Sequence, residues 1–475
     1  MPAELSIEST DIRLLNLETR LPFEFGIVTM TEVPHCFVTV ELEIDDVTKG
    51  MAADHFPPQW LMKDPDISLH QESRAILTVV ERACELAESI EGDTGFECWR
   101  RLYEAQRKWA ANTDYPLLLW NFGVTFVERA MIDAFCRATD RRFLEAIHEN
   151  ALGTRPGYIY PELEGTVPAD HLPDKPKRSI TVRHTIGHDD PLRGAGTPDP
   201  NDDLPTTLVE NLSTYGLDRF KIKLSGEVNN DYERLRNILT VLGEVCDEYA
   251  FTLDANEQYR SLDDLKSLFD RLRSDKEIKS LEHRLLFVEQ PFPRDIALSS
   301  TVAKGIARWE NAPPIIIDES DGRLDSFGRA LECGYTGTSV KSCKGVFKGI
   351  VNTCLADRRR QDGDSIIISG EDLTTIGPVS LQQDLALLAT LGIEHIERNG
   401  HHYFRGLEMF DNEIQSTVLS AHDDLYRNQN GIAVLNITDG SIALDSVLNA
   451  HFGYACEVDP TQYDTPAEWE LTGLN

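Results

Sequence analysis

The alternation of hydrophobic and polar positions divides this chain into three zones. The first runs to about residue 150. Ile12-Arg-Leu-Leu and Cys36-Phe-Val-Thr-Val-Glu-Leu-Glu-Ile have the alternating, β-branched character of strands. Helical stretches are expected at about residues 70–90 and 116–139. In the second, Val124, Val127, Ala130, Met131, Ala134 and Phe135 recur at the spacing of one helix face. Residues 151–178 are rich in proline, glycine and charge (Pro156, Gly157, Pro161, Pro168, Pro173, Pro176) and predict a connector between domains.

From 179 to 400, short β-branched runs alternate with helical stretches. The strand candidates are Ile180-Thr-Val-Arg-His-Thr-Ile, Arg219-Phe-Lys-Ile-Lys, Phe251-Thr-Leu-Asp and Leu285-Leu-Phe-Val-Glu. They continue with Pro314-Ile-Ile-Ile-Asp, Thr338-Ser-Val-Lys, Ser365-Ile-Ile-Ile-Ser and Ile393-Glu-His-Ile-Glu. Eight strands separated by helices are the pattern of a closed parallel barrel rather than an open sheet. The expected fold class is therefore α/β, a TIM-type barrel preceded by an α+β domain of residues 1–150. Residues 401–475 hold another strand pair and a turn-rich tail.

Composition narrows the function. With 475 residues, 41% of them hydrophobic, the chain can bury a sizeable core. No apolar run approaches the ~20 residues of a membrane span, and the opening Met1-Pro-Ala-Glu-Leu-Ser-Ile-Glu has no basic region followed by an apolar stretch. A cytoplasmic protein with no membrane contact is expected. The net charge of −34 is spread along the chain, and such a surface repels phosphate backbones, so no nucleic-acid partner is expected. An anionic substrate would need a local cationic site to enter. Of the nine cysteines none forms a C-x-x-C pair; Cys36, Cys136, Cys246 and Cys354 lie in apolar or helical contexts and read as reduced core thiols.

The chemistry is concentrated at strand ends. Strand two ends in Lys221-Ile-Lys223, strand three in Asp254-Ala-Asn256, strand four in Glu289-Gln290-Pro291, strand five in Asp318-Glu319-Ser320 and strand six in Lys341. Side chains on a strand alternate with period two, so Lys221 and Lys223 share one face, as do Asp254 and Asn256. Barrel enzymes build their sites at the C-terminal ends of the strands. Three carboxylates from neighbouring strands, Asp254, Glu289 and Asp318, are expected to converge there. They need a cation to stay ionised together, and hard oxygen donors favour Mg²⁺, with Mn²⁺ as a substitute. Lys223 and Lys341 flank them as proton-transfer groups, with pKa values lowered by the dication. Lys221 adds positive charge beside a substrate carboxylate. A metal so placed stabilises the enediolate left when the α-proton departs.

This order of residues resembles the enolase superfamily, in its mandelate racemase/muconate lactonizing enzyme branch. The motif residues are Lys221/Lys223, Asp254/Asn256, Glu289-Gln290-Pro291, Asp318-Glu319-Ser320 and Lys341-Ser-Cys-Lys344-Gly345. Pro22-Phe-Glu-Phe-Gly26 resembles the branch's cap loop, and Val127-Glu128-Arg-Ala-Met-Ile-Asp133 its helix before the barrel. The resemblance implies a modified (β/α)7β barrel under a capping domain built from both chain ends, with the C-terminal segment returning to the cap. It implies Mg²⁺-dependent removal of the proton next to the carboxylate of a small-molecule substrate, and a homo-oligomer. The expected reaction is racemisation or epimerisation, for which two bases on opposite faces are required. The alternatives are a lyase or cycloisomerase, such as an acid-sugar dehydratase or o-succinylbenzoate synthase, and a non-catalytic metal-binding or assembly protein.

The chain also departs from the branch. The stretch between Asn256 and Glu289 is long and charged, Gly345-Val346 replaces a double glycine, and Glu394-His-Ile-Glu397-Arg398 stands where dipeptide epimerases carry Asp-x-Asp. The last difference argues against a dipeptide substrate. Substrate contacts are expected from Asn256, Glu319, Glu371, His184, His401 and Glu397, with His402 and Arg398 as further candidates. Met30 and Trp60 are expected in cap loops, and Lys344 in support of the loop after Lys341.

Overall fold

The computed structural model describes residues 5–194, 200, 202–276, 278 and 281–471. Residues 1–4, and Glu277 and Lys279 of the charged stretch before Glu289, lie outside the described residues.

The N-terminal layer is an antiparallel sheet of β1 (Leu5–Phe25), β2 (Val28–Glu43), β3 (Val47–His55) and β4 (Glu91–Gly92), in the order β3-β2-β1-β4. β1 is far longer than its short apolar run suggests. A register shift between Ile7 and Ser9 moves its buried positions from Leu5 and Ile7 to Ile12 and Leu14. One extra residue in a strand reverses which face each side chain takes, and so hides the alternation.

Three helices cover this sheet: α1 (Leu69–Ala87), α2 (Gly95–Ala110) and α3 (Leu117–Ala138). The pattern predicted α1 and α3 but not α2. Nor is α3 one-faced, as its apolar spacing suggested; every residue from Leu118 to Cys136 is buried. It is enclosed by β2, β3, α1, α2 and the turn Ser342–Lys344 that follows the sixth barrel strand. Two glycines permit the close approach. A Cβ at Gly50 would lie 2.2 Å from both Ala130 O and Ala134 N, and one at Gly123 would lie 2.1 Å from Val79 O.

The barrel is formed by β5 (Ser179–Ile186), β6 (Arg219–Lys223), β7 (Ala250–Asp254), β8 (Leu285–Glu289), β9 (Ile315–Ile317), β10 (Gly337–Val340), β11 (Ile367–Gly370) and β12 (His395–Arg398). All pair in parallel in sequence order, and β12 pairs with β5 to close the ring. A closed sheet leaves no edge, and its helices shield the outer face. The C-terminal segment adds the hairpin β13 (Tyr426–Gln429) and β14 (Ile432–Leu435), then β15 (Ser441–Ala443), which runs antiparallel to β5. The tail then reaches the N-terminal layer. Asp464 bridges to Leu14, and buried Trp469 packs on Phe56 and donates from Nε1 to Asn16 Oδ1 at 3.0 Å.

Polar contacts dock this layer on the barrel mouth. His55 Nε2 lies 3.1 Å from Thr374 O and its Nδ1 3.0 Å from His35 Nδ1. Burial holds His55 neutral, at a pKa of about 4, so His55 donates to Thr374 and accepts from His35. Arg20 joins Asp202 and the carbonyl of His402. All nine cysteines are free thiols. No helix among the described residues is long and apolar enough to cross a membrane.

Gly50→Ala is expected to destabilise the protein by about 1–3 kcal/mol, because a methyl group there must push α3 off β3. Urea unfolding measures this; an unchanged midpoint would show that the two elements can part without cost.

Candidate active site

Strand register brings the charged ends together. Lys223 lies opposite Asp254, and Asp254 opposite Glu289, across adjacent parallel strands. Gln290 positions the next end: its Oε1 accepts from the amides of Asp318 (2.8 Å) and Ser320 (3.0 Å). β6 and β10 are the second and sixth of eight strands, so Lys223 and Lys341 rise from opposite sides of the barrel.

Both lysines line one narrow cleft. Its floor is polar, from Lys221, Lys223, Asp254, Asn256, Lys341 and Glu397, and its roof is apolar, from Phe23, Phe25, Met30, Pro57 and Trp60. Lys341 Nζ sits 4.6 Å from the Trp60 ring centre and Lys223 Nζ 5.9 Å from that of Phe25, where ring faces attract an ammonium.

Beneath the floor the charges are paired. Lys221 Nζ lies within 2.8–2.9 Å of four carboxylates, Asp254, Glu289, Glu371 and Glu397. Of the four, Glu371 and Glu397 accept hydrogen bonds from it. Glu289 is left over: one oxygen stands 2.8 Å from Lys221, yet neither receives a hydrogen bond. Burial and the neighbouring Asp254 push its carboxyl well above the usual range. Lys223 donates to Asp254 (2.6 Å) and Asn256 Oδ1 (3.0 Å), and Lys341 to Asp318 (2.7 Å). Lys344 supports Asp318 at 3.2 Å and Ser339 Oγ at 2.7 Å. Against the upward pull of burial, Lys341 and Lys344 hold Asp318 well below its ordinary pKa.

Asp254, Glu289 and Asp318 reach one region, but among the described residues no group of three or more His, Cys, Asp or Glu is arranged to hold a metal ion. Ammonium groups reach between the carboxylates instead. Nor is the Lys341 pKa depressed by the protein's own groups. Burial alone would lower it, but Asp318 outweighs burial and raises it. The donor set still fits a hard dication chemically: three carboxylates stand at adjacent strand ends, and fully buried Glu289 has no hydrogen bond at either oxygen.

Of the expected substrate contacts, Asn256 and Glu397 line the cleft. Four do not. Glu371 is sealed inside the barrel by Arg183, Ser369 and Lys221. Glu319 accepts from Asn256 Nδ2 at 3.1 Å behind the floor, where burial and Asp318 push it up to about 7. His184 faces His401 at 3.2 Å, away from the cleft, because inward and outward positions alternate along a strand. His402 is buried against Asn211, and Arg398 is buried between Asp372 and Asp384 rather than at the surface. Arg183, Asp372, Leu373, Thr374 and Asn399 belong to the site or its supports and were not singled out from the sequence. Arg183 carried a signal, a charge within an apolar strand. Leu373 and Thr374, in the loop after β11, carried none.

Residues 205–346 match the family described as enolase C-terminal domain-like. No curated protein matches the chain. Among solved structures, a mandelate racemase/muconate lactonizing protein from Herpetosiphon aurantiacus is similar at TM-score 0.59 and 15% identity, covering 96% of this chain and 100% of the other. A muconate lactonizing enzyme from Pseudomonas fluorescens, complexed with muconolactone, is similar at 0.57 and 15%, covering 97% and 98%. An enolase from Bradyrhizobium, complexed with magnesium and mandelic acid, is similar at 0.57 and 14%, covering 98% and 99%. They share the barrel and the N-terminal sheet layer.

Replacing Lys221 by Met keeps its bulk and removes its charge. Breaking a buried ion cluster this way is expected to cost about 3–5 kcal/mol. Thermal or urea unfolding reads it, and a loss near zero would mean that the four carboxylates find another counter-charge.

Proposed function

Because its residues 205–346 match the enolase C-terminal domain-like family, we propose that this chain is an enzyme that moves the proton next to a substrate carboxylate, as a racemase or epimerase. The observation that carries this reading is the pair of lysine arms, Lys223 and Lys341, rising from opposite barrel strands into one cleft. Inversion at carbon needs this arrangement. The neutral amine of one lysine takes the α-proton, and the ammonium of the other returns a proton from the far side. Lys221, paired with four carboxylates beneath the floor, adds its positive charge from below.

Asp254, Glu289 and Asp318 are the residues that would hold Mg²⁺. When bound, the ion supplies positive charge that stabilises the substrate carboxylate as its α-proton leaves.

The lining also selects the substrate. Glu397 is spent on Thr185, Lys221 and the amide of Asp372. Asp372 accepts from the amides of Thr375 and Asn399. Neither is free for a substrate ammonium group, and the roof offers five apolar residues. An acid with an apolar or aromatic body fits better than a dipeptide or a polyhydroxylated acid. The Bradyrhizobium structure with mandelic acid shows a ligand of this kind on the same fold.

The test is solvent-deuterium exchange at the α-carbon. A panel of α-aryl and α-alkyl carboxylates, N-acylamino acids, acid sugars and dipeptides is screened with Mg²⁺. Lys223→Ala and Lys341→Ala are each expected to abolish exchange from one enantiomer and to slow turnover by about 10²–10⁴-fold. If one lysine alone carries the exchange and an unsaturated or lactone product forms, the enzyme is a lyase or cycloisomerase. Calorimetry tests the metal separately. Glu289→Gln is expected to weaken Mg²⁺ binding by more than about tenfold, the lower end of the loss for even an outer-shell partner; unchanged affinity would remove Glu289 from the site.

A further inference from the structure

Two segments beside the cleft have neither helical nor strand structure: residues 59–63 after β3, and the turn at Asn256 and Glu257 after β7. Both contain non-glycine residues in the left-handed region. The φ angles are 55° at Gln59, 46° at Lys63, 40° at Asn256 and 69° at Glu257. Side chains adopt such angles only where their surroundings over-determine them. Main-chain groups of irregular segments also need partners from elsewhere.

One ion pair supplies partners to both segments. Arg294, in the loop after β8, grips the Glu257 carboxylate with Nε at 2.9 Å and Nη2 at 2.8 Å, and its own amide donates to Glu257 Oε1 at 2.6 Å. Such a two-pronged grip fixes direction as well as distance. The same guanidinium crosses to the N-terminal layer. Its Nη2 donates to Trp60 O at 2.8 Å and its Nη1 to Leu61 O at 3.1 Å. Lys63 adds a second tie, donating to Asn256 O and lying 3.3 Å from Glu257 Oε2. From the other side, Glu72 of α1 accepts from the amide of Gln59 at 2.8 Å.

The two segments face the two proton-transfer groups. The Trp60 ring lies 4.6 Å from Lys341 Nζ, and Asn256 Oδ1 accepts from Lys223 at 3.0 Å. The cleft is lined by Trp60 and Asn256 but not by Glu257 or Arg294.

We propose that Glu257 and Arg294 are positioning residues, one ion pair that holds Trp60 over Lys341 and Asn256 against Lys223 together. Its consequence for turnover rests on the proton-transfer reading above; its mechanical role does not.

The first test needs no substrate. Wild type and Arg294→Ala are treated with acetic anhydride, and the acetylation rate of each lysine is read by peptide mass spectrometry. Lys348, 2% exposed and paired with Asp321, is the reference, because only general loosening uncovers it. Losing two charge-assisted bonds to the cap segment favours its local opening. Lys223 and Lys341 are therefore expected to react about tenfold faster or more, with Lys348 unchanged. Should Arg294→Ala fail to fold, Glu257→Gln, which keeps the shape and removes the charge, is read in the same way.

The second test uses α-deuterium exchange. Arg294→Ala is expected to lower kcat from both enantiomers by about 10–10²-fold, with KM changed by less than about threefold, since neither residue of the pair lines the cleft. Each lysine variant silences one enantiomer instead. Unchanged reactivity of Lys223 or Lys341, a rise that Lys348 shares, or exchange slowed from one enantiomer alone would each overturn the proposal. Where the wild type shows no exchange, the racemase reading fails and acetylation alone decides the role of the pair.

Discussion

Inside the barrel, one ammonium group is shared by four carboxylates. Lys221 lies within 2.9 Å of Asp254, Glu289, Glu371 and Glu397, and all five side chains are buried. Removing these groups from water is tolerable only because they face one another, since an isolated buried charge costs several kcal/mol. The cluster ties the ends of β6, β7 and β8 to β12 and to Glu371 after β11. It therefore fixes the height at which Lys223, two residues along the same strand as Lys221, enters the cleft. Lys221 hydrogen-bonds Glu371 and Glu397, and Glu289 is left with neither oxygen hydrogen-bonded.

The N-terminal layer completes what the barrel begins. Phe23, Phe25 and Met30 from the hairpin of β1 and β2, with Pro57 and Trp60 after β3, close an apolar roof over a charged floor. Excluding water strengthens every electrostatic interaction below it. The roof stays in place through contacts far from the chemistry: His55 on the carbonyl of Thr374, Arg20 on Asp202, and the C-terminal Trp469 against Phe56. Thr374 itself lines the cleft, so the docking contact and the site share one loop.

That loop and its neighbour after β12 separate the cleft from a small void between Thr375, Arg398 and Tyr426. Strand alternation assigns Glu397 to one and Arg398 to the other. The same rule explains why His184 faces His401 rather than the cleft, although it stands on a barrel strand.

Much of this was legible in the chain itself. Eight β-branched runs separated by helices determine a closed parallel barrel, and the charges at their ends determine which mouth carries chemistry, because side-chain direction on a strand follows from local geometry alone. Where local geometry is interrupted the reading failed. The shift between Ile7 and Ser9 concealed most of β1, and α3 looked one-faced although five elements enclose it. Only the tertiary structure decided which charges meet. That Lys221 would be shared among four carboxylates, that Glu371 would be sealed behind Arg183, and that Arg398 would be buried between two aspartates all depend on contacts across 14 to 188 positions of sequence. Such contacts arise from ring closure and from the strength of Coulomb forces in a dry interior, neither of which is written in the spacing of residues along the chain.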